Sequence, residues 1–477
     1  MLFNSIAFGI FLPITFLLYW FVASKSLRVQ NILLLIASYF FYGFWDYRFL
    51  FLLVFSTFLD YFSALKINSA SKKYSRKMWL LLSVCINVGF LAFFKYYNFF
   101  ASTFSAMLLS MGIHADIWIL SIILPVGISF YTFHGISYIV DVYFKKIEPT
   151  TNFVDYSVFV SFFPLLVAGP IERARHLLPQ VQAPRKFDYD KAIDGMRQIL
   201  WGLFKKIAIA DNCAKDVNII FANPSQYHSS TLIYGALLFA FQIYCDFSGY
   251  SDIALGVSRL FGFELIRNFS FPYFSRDIAE FWRRWHISLS TWFRDYVYIP
   301  MGGNRGTKWQ TIRNTLFVFL ISGFWHGANW TFVTWGLFNG LLLLPLLLNS
   351  SNRKHTGVAP QGRIFASLKE VRQMVGTFFI VTAGWILFRA ATVTEAFNYF
   401  RLICSASILK NVELFNNQIF KFVLVLIVVE WLQRDKQHGL QLDGIRAPII
   451  RWAIYLSLLY CIVYCGGTQQ GFIYFQF

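Results

Sequence analysis

The fold is decided by residues 281–330, which read FWRRWHISLSTWFRDYVYIPMGGNRG at 281–306, an apolar run at 316–324 and WHGAN at 325–329. Arginines, tryptophans and glycines crowd between hydrophobic segments here, together with two histidines, His286 and His326. Eleven helical residues from Thr315 reach about 16 Å, roughly the middle of a bilayer core of about 30 Å. A histidine at that depth is costly without a partner or a function. We therefore place the chemistry of the protein in this region.

Different structures are predicted for residues 315–348 and for residues 267–309. Residues 315–348 have basic flanks on both sides, so they should cross an even number of times and form a hairpin with 325–329 at its tip. Residues 267–309 are too polar to cross and too aromatic to be fully solvated. Short helices that lie at the interface or re-enter the membrane fit this mixture best.

Working outward, the composition predicts an all-α integral membrane protein. Of 477 residues, 57% are hydrophobic and only 14% are charged, which excludes an ordinary soluble domain. About eleven hydrophobic segments are long enough to cross a bilayer. No repeat or linker divides the chain, so we expect a single domain over 1–477 with its catalytic core at about 120–350.

The net charge of +18 is explained by membrane orientation rather than by nucleic-acid binding. Lysines and arginines concentrate in short loops at 66–77, 172–186, 276–313, 352–372 and 434–451. Such loops are predicted on the cytoplasmic side, which places both termini outside.

The two histidines are the candidate catalytic residues. A neutral imidazole at His326 can take a proton from a hydroxyl and return one to a leaving group, as acyl transfer to an alcohol requires. The alternative for His326 is a packing histidine bonded to a neighbouring carbonyl. For His286 the alternative is an interfacial histidine within a belt of tryptophans.

Other polar and aromatic side chains are candidates for donor binding or for lining a pore. The arginines can hold a phosphate-bearing acyl donor from the cytoplasm, or lipid headgroups. Asp246 ends an apolar run, and is either a functional intramembrane acid or a carboxylate that caps a helix near Gly249 or pairs with an arginine. These candidates are Trp285, Arg283, Arg284, Arg294, Asp246, Trp325 and Asn329. No metal site is predicted.

Two further segments, LPVGISFYTF at 124–133 and FFPLLVAGPIER at 162–173, contain prolines and glycines that predict broken helices. Broken helices of this kind line cavities in membrane proteins.

A resemblance to a known family is carried by the strings at 281–306, 325–329, 124–133 and 162–173, by DFSGYSDIALG at 246–256, by the MLFNS opening and by the C-terminal FIYFQF. Together these strings closely resemble the membrane-bound O-acyltransferases over nearly the whole chain. The amino-acid sequence of these motifs is most similar to the bacterial branch for polysaccharide and alginate O-acetylation. The resemblance implies about eleven membrane helices with re-entrant segments around a central pore. It also implies that His326 is the general base and that His286 positions or polarises the acyl donor.

The resemblance further implies a location in the inner membrane and an acetyl group taken from acetyl-CoA, with no tightly bound cofactor. A separate extracytoplasmic acetyltransferase of the SGNH type is expected to complete transfer to a polysaccharide. Two alternatives remain open at this point. One is D-alanyl transfer to teichoic acid from an acyl carrier protein, and the other is a proton-coupled secondary transporter.

Overall fold

A computed structural model describes residues 1–114, 118–167, 169–360, 362–405, 410–413 and 418–475. Within these residues the regular structure is helical, and no strand occurs, as the composition predicts. The chain forms two compact units, Met1–Ala192 with Val257–Ile266 and Ile193–Gly256 with Arg267–Phe477. Ala168, Gln476 and Phe477, which belong to motifs quoted above, lie outside the described residues.

The first unit is built from apolar helices of the N-terminal part of the chain. In it α3 packs against α4 and α6, and α2 packs against α7. The helices are α1 (Ile6–Leu17), α2 (Leu27–Asp46), α3 (Leu50–Ser69), α4 (Lys73–Leu91), α5 (Tyr97–Ser110), α6 (Ile128–Tyr143), α7 (Phe153–Ser161), α8 (Phe163–Leu166) and α9 (Ala174–Gln182).

The predicted helix breaks occur in this unit. The chain before α6 is not helical, and α6 begins after Gly127, whose φ of +76° favours glycine. A Cβ at Gly127 would also lie 2.2 Å from the carbonyl oxygen of Leu166. The segment at 162–173 is broken too. Its only helix in the described residues is the short α8, and it separates α7 from α9.

The second unit contains every candidate site residue. Its chain enters through α10 (Tyr189–Leu203), which begins in the first unit, and a π-helical segment, Phe204–Ala210. The further helices are α11 (Asp211–Ala222), α12 (Ser229–Leu260), α13 (Ile278–Arg284), α14 (Ile287–Phe293), α15 (Lys308–His326), α16 (Trp330–Leu348), α17 (Leu368–Arg389), α18 (Val393–Ile403), α19 (Gln418–Leu432) and α20 (Pro448–Tyr464).

Five helical segments in the described part of the chain are long and apolar enough to cross a membrane. They are Leu27–Ser69, Lys73–Ser110, Ser229–Leu260, Trp330–Leu348 and Leu368–Arg389. The first two have 43 and 38 residues, which exceeds the roughly 20 residues that one crossing needs. The number of about eleven crossings and the central pore are not confirmed and stay predictions.

The two helices of the predicted hairpin are present as α15 and α16, joined by three residues at 327–329, and their crossing of the membrane stays a prediction. The two helices approach closely because glycines face each other. A Cβ at Gly323 would lie 2.3 Å from the carbonyl oxygen of Phe332, and one at Gly336 would lie 2.3 Å from that of Phe319. The turn after His326 is therefore held between two helices in direct backbone contact.

The polar region at 267–309 forms the short helices α13 and α14 and a π-helical turn, Arg294–Tyr298. His286 separates α13 from α14 and has a left-handed backbone, with φ +44° and ψ +54°. A non-glycine residue in this conformation is uncommon, and such residues cluster at functional sites. The short helices were predicted from the sequence, but this backbone strain was not.

Candidate active site

Both candidate histidines line one cavity of about 260 Å³ in the second unit. The cavity lies between α13, α14, α15 and α16, and its wall is mostly apolar and aromatic. Trp285 and Arg294 also line it, as do the hydroxyl-bearing Ser290 and Ser322. A concave apolar pocket with a few polar groups is the usual form of a small-molecule site.

His326 is 4% exposed and ends α15 at the turn of the hairpin. Its ring centroid lies 4.8 Å from that of Trp325 and 5.1 Å from that of Trp335. Phe388 and Tyr474 follow at 5.5 and 5.6 Å. These rings exclude bulk water from much of the imidazole, and a dry setting strengthens its hydrogen bonds to a reacting group.

His286 is 1% exposed, and its ring centroid lies 4.7 Å from that of Phe247 and 6.1 Å from that of Trp325. Neither ring nitrogen has a hydrogen-bond partner among the described residues. The residue lies outside the candidate spans, and burial lowers its pKa to about 3. The imidazole is therefore neutral at physiological pH, with one nitrogen able to donate and one able to accept.

The arginines are divided between the cavity wall and the surrounding structure. Arg294 lines the cavity, pairs with Asp295 at 2.8 Å and keeps 57% of its side chain exposed. Arg283 does not line the cavity and donates to the carbonyl oxygens of Asn352 and His355 at 2.8 and 2.7 Å. Of the two, Arg294 is the cation that a ligand in the cavity can reach.

Arg284 belongs to a buried ion cluster on α13 rather than to the cavity wall. Its Nη2 lies 2.7 Å from Oε1 of Glu280, whose Oε2 accepts from Nε of Arg276 at 3.0 Å. Burial raises the pKa of Glu280, but hydrogen bonds from Arg276 and the charges of both arginines outweigh it and hold that pKa below its usual value. This cluster fixes α13, whose last residue precedes Trp285.

Asp246 does not line the cavity either. It lies inside the continuous α12, so the expected helix cap near Gly249 is wrong, and its ion-pair partner is a lysine rather than an arginine. Its Oδ1 lies 2.7 Å from Nζ of Lys206, and its Oδ2 accepts the N–H of Ile473 at 2.7 Å.

Trp325 lies in the last turn of α15, and Asn329 is the last residue of the hairpin turn. The ring of Trp325 is near both histidines, as the distances above show. Asn329 caps α16 by accepting the N–H of Thr331 at 3.0 Å, and it donates to the carbonyl oxygen of Ala391 at 2.8 Å. The contacts of Asn329 are those of a helix cap. Its proposed role in binding remains a prediction.

Sequence reasoning missed four aromatic residues of the site, Phe247, Trp335, Phe388 and Tyr474. Phe247 follows Asp246 in a motif already singled out, and Tyr474 lies in the C-terminal string FIYFQF. Trp335 and Phe388 come from apolar runs without any distinguishing pattern. Only the packing of α16 and α17 against each other brings these two rings to His326.

The described residues form a helical fold with candidate membrane spans and a cavity lined by two buried histidines, and comparison with known proteins gives the class of the protein. Residues 145–381 match the family model of the membrane-bound O-acyltransferases. The chain belongs to this family and is a multi-pass membrane O-acyltransferase.

The chain is also similar to individual proteins of known or assigned activity. The "Probable alginate O-acetylase AlgI" of Azotobacter vinelandii is 40% identical over 90% of this chain and 84% of its own length. The peptidoglycan O-acetyltransferase of Helicobacter pylori is 32% identical over 100% of this chain and 98% of its own length. The teichoic acid D-alanyltransferase of Bacillus subtilis is 32% identical over only 46% of this chain.

Proposed function

We propose that this enzyme takes an acetyl group from acetyl-CoA on the cytoplasmic side and delivers it for O-acetylation of a cell-envelope or secreted polysaccharide. The observation that carries the proposal is the cavity lined by both His286 and His326. The names of the long-matching relatives support an acetyl group and a polysaccharide acceptor.

In the proposed reaction His326 is the general base. It removes the proton of the acceptor hydroxyl as that oxygen attacks the thioester carbonyl carbon. The new C–O ester bond forms, the C–S bond breaks, and the proton passes from His326 to the departing thiolate. Neutral His286, which can donate one hydrogen bond, positions or polarises the thioester carbonyl.

The donor is proposed to enter past Arg294. This residue lines the cavity and is still largely exposed, so it can meet a phosphate-bearing thioester. Its exposed pair with Asp295 is a weak competitor, because surface ion pairs contribute little. We propose the inner membrane as the location and an extracytoplasmic SGNH-type acetyltransferase as the partner that completes transfer.

The alternatives are less well supported. The teichoic acid D-alanyltransferases that are similar to this protein match less than half of its chain, which weakens the D-alanyl alternative. Membership of an acyltransferase family favours an enzyme over a proton-coupled transporter.

The test measures acetate that mild base releases from envelope and secreted polysaccharide. It compares cells lacking the protein with cells carrying the native chain, His326→Gln or His438→Gln at matched membrane levels. His438 is a suitable control because it is also buried in the second unit, bonds to Asp194 at 2.9 Å and does not line the cavity.

We expect the native chain and His438→Gln to restore ester-linked acetate. His326→Gln should fall by about 10²-fold or more, the usual contribution of a general base. Full restoration by His326→Gln would show that His326 only packs. Released alanine in place of acetate would favour the D-alanyl alternative.

A further inference from the structure

The C-terminal segment after α20 returns into the second unit and is bound along its backbone. Gly467 donates its N–H to the carbonyl oxygen of Ile207 at 3.2 Å. Asn212 donates from Nδ2 to the carbonyl oxygen of Cys465 at 2.9 Å. The segment thus lies along the π-helical segment Phe204–Ala210 and the start of α11.

Beyond these contacts the segment meets a buried ion cluster. Nζ of Lys206 lies 2.7 Å from Asp246 and 2.9 Å from Asp211, and these three residues are at most 3% exposed. Lys206 also donates to the carbonyl oxygen of Gln470 at 3.2 Å, while Asp246 accepts the N–H of Ile473 at 2.7 Å. One cation and one anion therefore hold opposite backbone groups of the same short segment.

The bound segment reaches the active site. The ring of Phe472 lies 4.5 Å from Tyr250 and 5.9 Å from Phe247. The ring of Tyr474 lies 4.7 Å from Phe247 and 5.6 Å from His326. Through this segment Asp246 is connected to His326 by Ile473, whose backbone it binds, and by the adjacent Tyr474.

The cost of the cluster argues for a specific task. Buried ion pairs contribute little net stability compared with apolar packing of the same volume, and charges within membrane proteins are expensive. Outside the cluster itself, Lys206 and Asp246 bind backbone groups of the C-terminal segment. Such hydrogen bonds to charged groups are stronger than neutral ones and fix geometry.

We propose that Lys206 and Asp246 are positioning residues that clamp the C-terminal segment, so that the ring of Tyr474 stays packed against His326. The catalytic part of this inference rests on the proposed function. Neither residue touches the cavity, and each acts on acyl transfer only through the segment that it holds.

The sharpest variant is Ile473→Pro, which removes the N–H that Asp246 accepts without disturbing any charge. Ile473 is the first residue of a 3₁₀ turn, a position at which proline fits the backbone. Ile473→Ala is the matched control, because it loses the side chain but keeps the N–H. Asp246→Asn, alone and combined with Ile473→Pro, completes a double-mutant cycle.

Two readouts are measured on the full-length chain. Hydrogen exchange of the C-terminal peptide reports on the clamp independently of catalysis, and ester-linked acetate reports on its consequence. We expect Ile473→Pro and Asp246→Asn each to speed exchange of this peptide alone and to lower acetate at least about tenfold, the value of one charged hydrogen bond. The double variant should fall no further, and Ile473→Ala, which loses the same buried side chain but keeps the N–H, should retain at least about tenfold more acetate than Ile473→Pro.

Unchanged exchange of the C-terminal peptide in Ile473→Pro would overturn the clamp. Multiplying effects of Asp246→Asn and Ile473→Pro on acetate would show that Asp246 acts by another route, and would overturn the positioning role. If the native chain produces no ester-linked acetate, the proposed function fails, and the exchange result still decides whether the clamp exists.

Discussion

Replacing Gly336, which does not itself line the cavity, by alanine should damage the active site. A Cβ at this position would lie 2.3 Å from the carbonyl oxygen of Phe319 on α15. The oxygen is a backbone atom and the position of an alanine Cβ is fixed by its own backbone, so neither atom can rotate away and α16 must move. Trp335, the preceding residue, packs its ring against His326 at 5.1 Å, so the movement reaches the site directly.

The size of the effect follows from the geometry. Restoring an ordinary contact of about 3.4 Å requires a shift of roughly 1 Å between α15 and α16. Overpacking of this kind costs about 1–3 kcal/mol of stability. A displacement of about 1 Å in a catalytic group lowers the rate by about 10²-fold. We therefore expect the variant to stay folded, with a lowered unfolding midpoint, while acyl transfer falls by about 10²-fold.

The assay pairs ester-linked acetate per unit of membrane protein with the thermal unfolding midpoint, and two other glycines serve as graded controls. A Cβ at Gly340 would meet only side-chain carbons at 3.1 and 3.3 Å and a backbone atom at 3.7 Å, and one at Gly376 would meet nothing within 4 Å. Gly376→Ala should match the native chain and Gly340→Ala should lie close to it. If Gly336→Ala behaves like Gly376→Ala in both measurements, the close packing of the hairpin does not position His326.

Two further predictions concern histidines. His286→Asn should unfold near the native midpoint, because asparagine tolerates the left-handed backbone, whereas β-branched His286→Val should lose about 1–2 kcal/mol; both should lose acyl transfer. His176 lies outside the membrane spans, and a 2.8 Å hydrogen bond from its Nδ1 to Glu172 raises its pKa. A histidine whose pKa is raised in the folded state contributes its full stabilisation below the unfolded pKa of 6.5. This contribution is lost as the pH rises through the folded pKa. The midpoint difference between the native chain and His176→Gln should therefore be largest below the unfolded pKa of 6.5 and shrink as pH rises above it, and a difference that widens would contradict this assignment.

Much of the local structure could be predicted from the sequence. The hairpin followed from two apolar runs around WHGAN, and the short helices followed from the mixture of arginines and tryptophans at 267–309. The helix breaks followed from proline and glycine. Each of these features depends on interactions within one segment or between a segment and the bilayer, which residue order alone encodes.

The site was predictable only in part. The sequence singled out His286 and His326, and the structure places both on one cavity. The sequence could not show that Arg284 is bound to Glu280. Whether an arginine binds a ligand or a neighbouring carboxylate depends on the distances between side chains.

The sequence by itself determined an all-helical membrane protein of the O-acyltransferase family and its two candidate catalytic residues. Only the tertiary structure decided which distant side chains surround them. Phe388 and Tyr474 lie 62 and 148 residues beyond His326 in the printed sequence, and no periodicity within a helix records such a contact. The same is true of Asp246, whose partner Ile473 is 227 residues away. Contacts between distant segments arise from packing of whole helices, and packing depends on the shapes of all the surfaces that meet.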